Sequence, residues 1–375
     1  MKFTINKTVF SGGLQKVQGI AGSGPAMPIL GCVLLEAADG KIRISGTSLD
    51  MSIRGLFDAT VEETGGVAVS AKKLYEIVRE LPEDSVRVES NGENRVKVVG
   101  GKAVFRLSGL AKAEFPAFPE IDPAKAGMMN IEVAALVEMI KKVVFAASDN
   151  DSRAVLTGML VSLEQNGAGI KTRLVATDGH RLALLDRVIS GKREEMMQAV
   201  VPKKAVNELR KFIESGLTQI EAGVGFTGNQ MIVRKGDALF LCKLIDGSFP
   251  NYLNVVPTAN NKEVIVSRDT FLGALRRVSI LTNSRTNQVG LEVAEGKLRF
   301  FAVNQDTGEA EEIIEAKTKG GGVTIGFNAR FLLEAVSNMD TTNVVFKLND
   351  PLTPCLILPE GDLSHTCVVM PMRLN

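Results

Sequence analysis

Apolar positions follow two rhythms along the chain. Phe3 and Ile5 alternate with polar neighbours, as on a half-buried strand. Val9, Phe10, Leu14 and Val17 then fall at helical spacing, predicting a helix over 7–20 in which Gly12 and Gly13 each cost ~1 kcal/mol. Gly22 to Pro25 read as a loop. Alternating stretches 29–37 and 42–47 flank Asp39-Gly40, a hairpin signal because both residues tolerate the positive φ of a tight turn. Residues 51–61 continue the sheet. A strand at 67–70 leads into a helix over 71–81 that stops before Pro82, and strands follow at 86–89, 95–99 and 103–107.

The order then recurs. Asn130 to Val133 opens a second strand–helix pair whose stripe is Leu136, Ile140, Val143 and Val144; strands at 158–163 and 174–177 follow, and a helix over 202–215 comes after Val200-Val201. Val264 to Val266 opens a third pair with Phe271, Leu275, Val278 and Leu281 on one helix face, and a last helix is predicted over 327–339. The opening strands (Ile5, Ile131, Ile265), the hairpin corners (Thr47, Thr177, Val303) and the second-helix starts (Ala71, Pro202, Phe327) each repeat at intervals of about 130 residues, which argues for a triplicated module. The fold class is therefore α+β, with two helices per module packed on antiparallel sheet, and the boundaries fall at 1–125, 126–254 and 255–375.

Composition changes this picture little. Of 375 residues, 45% are hydrophobic and 23% charged, as in a soluble globular chain. The four cysteines lie far apart with no C-x-x-C, which fits a reducing cytoplasm and neither a disulfide framework nor a metal cluster. No apolar run approaches the ~18 residues of a membrane span, and the alternating N-terminus reads as a strand rather than a signal peptide.

The only histidines are His180 and His365. Ala176-Thr177-Asp178-Gly179-His180-Arg181-Leu182-Ala183 brings an Asp, a His and an Arg together, so Asp178 and His180 are a candidate acid–base pair. The corresponding corners, Thr47 to Asp50 and Val303 to Asp306, hold neither His nor Arg. The shared part is thus structural, and the addition in the second module carries any function. No G-x-S-x-G or phosphate-binding G-x-x-x-x-G-K-[ST] occurs. The acidic row Glu309, Glu311, Glu312 and Glu315 reads as a solvated strand edge or half of an interface. The C-terminus, Val368 to Asn375, is apolar almost to its last residue, where chain ends are normally polar and frayed; it predicts a docked tail.

Net charge is +1, yet the six predicted helices together carry roughly +7. That segregation points to a helical surface facing a polyanion, although Lys and Arg are also ordinary helix formers. If helices ~10 Å across lined a closed ring, six would leave a hole of ~9 Å and twelve a hole of ~28 Å, so encircling duplex DNA would take two chains.

Taken together, the second-module motif, Val368-Val369-Met370-Pro371-Met372-Arg373-Leu374 at the end, Pro28 to Gly31, Asp246-Gly247-x-Phe249-Pro250-x-Tyr252 and Gly326-Phe327-Asn328 resemble the bacterial DNA sliding clamps, the beta subunits of DNA polymerase III. The resemblance runs from Lys2 to Leu374. It implies three similar domains of the clamp fold in a ring-shaped head-to-tail homodimer, with no catalysis, no cofactor and no metal. The partners it implies are duplex DNA, a second copy of the chain, a clamp loader, the catalytic subunit of the replicative DNA polymerase and other clamp-motif proteins of replication and repair, with no membrane. It further implies a peptide-motif pocket formed by Leu156, Thr177, Gly179, His180, Arg181, Leu182, Pro250, Val255, Asn328, Phe331, Leu352, Val368, Val369, Met370, Pro371, Met372 and Arg373. DNA contact would fall to Lys16, Gly24, Lys72, Asn150, Arg153, Lys203, Lys204, Arg210 and Arg276. A dimer seam would pair Lys73, Phe105, Arg106 and Leu107 with Ile280, Leu281, Glu309, Glu311 and Glu312. Some relatives carry Arg at the position of Gly24 and aromatics at Ala154 and Val155, so this chain would rely more on helix charge and Arg153. Two rival readings are a hydrolase using Asp178 and His180, and a peptide-binding scaffold with no DNA role.

Overall fold

The computed structural model describes residues 1–21, 27–119, 126–192, 195–214 and 220–374. The chain divides into two compact units, Met1–Val137 with Lys204–Leu244, and Glu138–Lys203 with Ile245–Asn375. All strand pairs within the sheets are antiparallel, and the described residues include six α-helices, which accords with the predicted α+β class. These are α1 (Lys7–Gln18), α2 (Ala71–Glu80), α3 (Val133–Val144), α4 (Lys203–Glu214), α5 (Arg268–Val278) and α6 (Ala329–Ser337).

The first unit holds a five-stranded and a nine-stranded sheet. The five-stranded one ends on Ala103–Ser108, which has one neighbour, Arg95–Gly100. The nine-stranded sheet joins strands of the first third to strands of the middle third where Met51–Asp58 pairs with Ala238–Lys243. Polar residues fix the helix starts: Asn6 accepts from Thr8 N (2.9 Å) and Val9 N (3.2 Å) to cap α1, and Ser70 caps α2 through Lys73 N. Gly13, a cost in the sequence reading, has a packing reason. A Cβ there would meet the Phe57 ring at 2.8 Å, so glycine lets α1 lie close on the sheet.

The second unit repeats the plan with a nine-stranded and a four-stranded sheet. Its nine strands join the middle third to the last third where Arg181–Ser190 pairs with His365–Val369. The four-stranded sheet ends on Gly308–Glu315. In the core of this unit Phe271 of α5 stacks on Phe346, ring centroids 4.6 Å apart, and meets Phe300 edge-to-face at 5.1 Å.

Several boundaries differ from the periodicity. Residues 28–31 form a 3-10 turn before the strand Cys32–Ala38, because Pro28 starts the turn with a fixed φ. Pro202 closes the edge strand Met197–Pro202, opposite Gly158, and α4 begins one residue later; an edge strand can spare the N–H that proline lacks. Phe327 likewise belongs to the strand Val323–Asn328, opposite Val289, and α6 starts after the Asn328 cap. Leu281 lies in a 3-10 turn, Ser279–Leu281, rather than on the buried face of α5. Gly24 and its loop lie outside the described residues.

Candidate functional site

The middle and last thirds meet within one sheet: Leu182 pairs with Val368 and Arg181 with Val369. Side chains alternate across a strand, so Leu182 and Val368 share one face while Arg181 and Val369 share the other. On the first face, Leu160, Val175, Leu182, Leu184, Val200 and Val368 form an apolar cluster covered by Ile245, Phe249 and Tyr252. Beside it opens a cavity of about 160 Å³ lined by Leu156, Thr177, Gly179, Arg181, Leu182, Pro250, Val255, Val368 and Met370, together with Arg153, Asn251 and Tyr252. Nine of the residues implied by the resemblance are therefore brought together. Tyr252 and Asn251 come from the stretch Asp246 to Tyr252 already singled out, and Arg153, assigned to DNA, lines the cavity too.

The corner is held by its own side chains. Thr177 Oγ1 donates to Arg181 O (2.6 Å) and accepts from Gly179 N (3.1 Å). Asp178 Oδ1 accepts from the backbone N–H groups of His180 (2.9 Å) and Arg181 (3.0 Å), and its Oδ2 accepts from Arg181 Nε (3.0 Å). Asp178 thus organises a turn, with Gly179 at φ +87°, and its carboxylate is bonded to backbone and Arg181 rather than to the His180 ring. That arrangement removes the acid–base reading of the pair.

Arg181 differs from the expectation as well. Its side chain is 7% exposed, and its guanidinium is taken up behind the cavity by Asp178, Glu334 of α6 and the carbonyl of Phe145 (2.8 Å), 4.5 Å from the Phe331 ring centroid. Burial alone would raise the Glu334 carboxyl; hydrogen bonds from Arg330 and Arg181 outweigh it and hold the group below the usual carboxylate range. Arg181 therefore secures the wall, and its charge is spent before any ligand arrives.

The remaining implied residues surround the cavity or lie apart. His180 is exposed, its ring stacked 6.5 Å from Phe331, and its carbonyl accepts from Met370 N at 2.9 Å. The C-terminal tail is docked as expected: Met372 N donates to Gly326 O (2.7 Å), and Gln288 Nε2 donates to Arg373 O (2.5 Å). A Cβ on Gly326 would sit 2.5 Å from Met372 O, so the strand accepts the tail only because it carries glycine there. Asn328 caps α6, Val369 is fully buried on the opposite sheet face, Pro371 is half-buried, and Leu352, 71% exposed, is not part of the lining.

The cationic set divides. Lys72, Lys204, Arg276 and Asn150 are exposed. Arg153 is exposed but forks onto Asp151 (3.1 Å). Lys203 is largely covered, bonded to Ala147 O and Asp149 at 2.7 Å each, so it ties its own neighbourhood together. Burial, then the nearby Lys235 charge, lowers the Lys16 pKa, and Arg210 Nε is buried. These three are less available to a polyanion than the resemblance implied.

The two end strands of the shorter sheets carry exposed apolar groups: Val104 and Phe105 on Ala103–Ser108, and Ile313 on Gly308–Glu315, with Ile280 79% exposed nearby in sequence to α5. Leu107 and Leu281 are half-buried, and Arg106 and Glu309 are exposed. Lys73 is paired with Glu76 (2.9 Å), Glu311 with Arg299 (2.7 Å) and Glu312 with Arg277 (2.6 Å). A charge pairing across a seam that uses Lys73, Glu311 or Glu312 would thus have to displace an existing one, whereas Arg106 and Glu309 are in no ion pair among the described residues.

A triplicated α+β chain with an apolar cleft at the seam of a continuous sheet, a docked tail and unpaired sheet ends defines a modular, repeat-built protein. Three domain profiles of one family cover nearly all of it: DNA polymerase III beta subunit, N-terminal domain at 1–119, central domain at 130–251 and C-terminal domain at 253–373. The chain is 34% identical over 377 residues to the beta sliding clamp of Escherichia coli (strain K12), with 100% of both chains covered. It superposes on the DNA polymerase III subunit beta of Pseudomonas aeruginosa with a TM-score of 0.92 at 31% identity, and on the sliding clamp of Bartonella birtlesii with 0.93 at 31%, each over 100% of both chains. The chain belongs to the DNA polymerase III beta-subunit family, the beta sliding clamps.

Proposed function

We propose that the chain encircles duplex DNA as a processivity clamp and tethers the replicative polymerase to it. Its family membership across the full length supports this, and one observation in the fold carries the assembly. Each unit has one complete nine-stranded sheet, and the two remaining sheets have five and four strands, each with an open end, one exposing Val104, Phe105 and Arg106 and the other an acidic row with Ile313. Unpaired strand ends invite edge-to-edge pairing. Joining the five of one copy to the four of another would complete a further nine-stranded sheet, and doing so twice closes a head-to-tail dimer of six domains bounded at 1–125, 126–254 and 255–375. Such a ring has no use for a catalytic group of its own. It needs a loader to open it, and exposed Lys72, Lys204 and Arg276 supply charge toward the duplex.

The cavity at the Leu182–Val368 seam takes the apolar side chains of a short motif carried by the polymerase catalytic subunit and by other replication and repair partners. At about 160 Å³ it is too small for a whole cofactor and suits peptide side chains. The site of action is the bacterial cytoplasm, and no helix among the described residues is long and apolar enough to cross a membrane. The test is sedimentation together with peptide titration: a dimer at micromolar concentration, and binding of a glutamine-and-leucine motif peptide that is lost on deleting residues 372–375. A monomer, or binding indifferent to the deletion, refutes the reading.

A further inference from the structure

We infer that the first unit carries a second peptide-docking site, at the seam that corresponds to the pocket of the second unit. The inference rests on the peptide reading of that pocket and extends it to a place the family resemblance does not assign.

The correspondence is bond by bond. In the first unit Met51 pairs with Cys242 and Ser52 with Leu241, as Arg181 pairs with Val369 and Leu182 with Val368 in the second. Thr47 Oγ1 donates to Met51 O (3.1 Å), as Thr177 Oγ1 does to Arg181 O. Lys243 N donates to Asp50 O at 2.9 Å, as Met370 N does to His180 O at 2.9 Å. A 3-10 turn presents Leu30 as another presents Leu156, and Pro116 stands where Pro250 does. The result is a cavity of about 170 Å³, the size of its counterpart.

The chemistry of the lining names a different ligand. Leu30 and Leu241 keep an apolar floor, with Met51 behind it on the opposite sheet face as Arg181 is in the second unit, but Ser52 replaces Leu182 and Lys243 replaces Met370. Leu49, 65% exposed, stands at the corner where the second unit has Gly179. Lys243 is exposed and makes no ion pair among the described residues. Donors (Ser48, Gln230, Lys243) outnumber the single carboxylate of Asp50. The occupant is a short extended peptide with one aliphatic anchor beside an acidic side chain: the anchor fills the cavity against Leu49, and the carboxylate meets Lys243.

The test uses full-length protein labelled with 13C at the methionine methyls, where Met51, packed directly behind the strand pair that floors it, reports the first cavity and Met370 the second. A capped Gly-Asp-Leu-Leu-Gly peptide is titrated in. Both signals are expected to shift saturably. Val255→Glu should silence Met370 and leave the Met51 response, whereas Lys243→Glu should weaken the Met51 response about fivefold and spare Met370. Replacing the peptide Asp by Asn should weaken only the Met51 response. A static Met51 beside a shifting Met370, or a Met51 shift abolished by Val255→Glu, overturns the second site and leaves the first standing. Two static signals overturn the second site, and the glutamine-and-leucine motif peptide then tests the first on its own.

Discussion

Two strand ends in this molecule meet opposite fates. At Arg181–Ser190 the sheet runs on within the chain through His365–Val369, and the charge that would otherwise be stranded there, Arg181, is buried among Asp178, Glu334 and Phe145 O. At Ala103–Ser108 the sheet stops, its apolar side chains stay exposed, and Arg106 faces solvent. The first junction is finished by folding, and the second is left open for the association proposed above. A buried, bonded cation thus secures this internal seam, and the open end with its exposed apolar groups suits the seam proposed between copies.

The comparison can be broken at the internal seam first. Arg181→Ala leaves Glu334 and Asp178 without their buried partner and should cost about 3 to 5 kcal/mol, read as a fall in the urea midpoint. A change under ~1 kcal/mol would mean that the pairing does not secure the wall.

On the same strand pair, buried His365 gives a pH signature. Burial, reinforced by the Lys142 charge, pushes its pKa down to about 4, with Asp362 and Asp340 opposing. The unfolded chain holds a proton there below about pH 6.5, so stability is full above that value and declines as pH falls toward 4, by up to ~3 kcal/mol. His365→Gln should flatten this slope in pH-dependent urea titrations; an unchanged slope assigns the acid sensitivity elsewhere.

The open end should respond in association alone. Ile280→Asp removes one exposed apolar side chain from the proposed interface, worth ~1.5 to 3 kcal/mol when buried, so the dimer dissociation constant should rise about ten- to hundredfold with the monomer's unfolding midpoint unchanged. Sedimentation equilibrium checks it. The smallest effect belongs to His180→Ala, which loses one exposed ring beside Phe331 and should weaken motif-peptide binding by ~1 kcal/mol with folding intact.

Much of the fold could be read from the chain because its signals are local. Strand alternation and the Asp39-Gly40 hairpin need only neighbours in sequence. Pro202 and Phe327 misled because strand ends and helix starts share apolar residues, and only the partners Gly158 and Val289 decide between them. The joining of thirds into nine-stranded sheets depends on pairings such as Ser52 with Leu241, nearly two hundred residues apart, which no local pattern announces. Of the residues that line the cavity, Thr177, Gly179, Arg181, Leu182, Pro250, Val368 and Met370 lie in the motifs that carry the resemblance, whereas Leu352 and Val369 lie outside the lining. The role of Arg181 was not, since its direction follows from strand parity and from α6, and Glu334 carries no motif. Charge counts on helices likewise could not separate exposed Lys204 from Lys203, which is tied to Ala147 and Asp149.

The most direct measurement of the encirclement claim is retention on DNA of defined topology. Protein loaded onto a nicked circular duplex should stay bound in salt that dissolves phosphate contacts, and should leave when a restriction enzyme linearises the circle. Equal retention on the circle and the linear product, or loss from both at the same salt concentration, would contradict it.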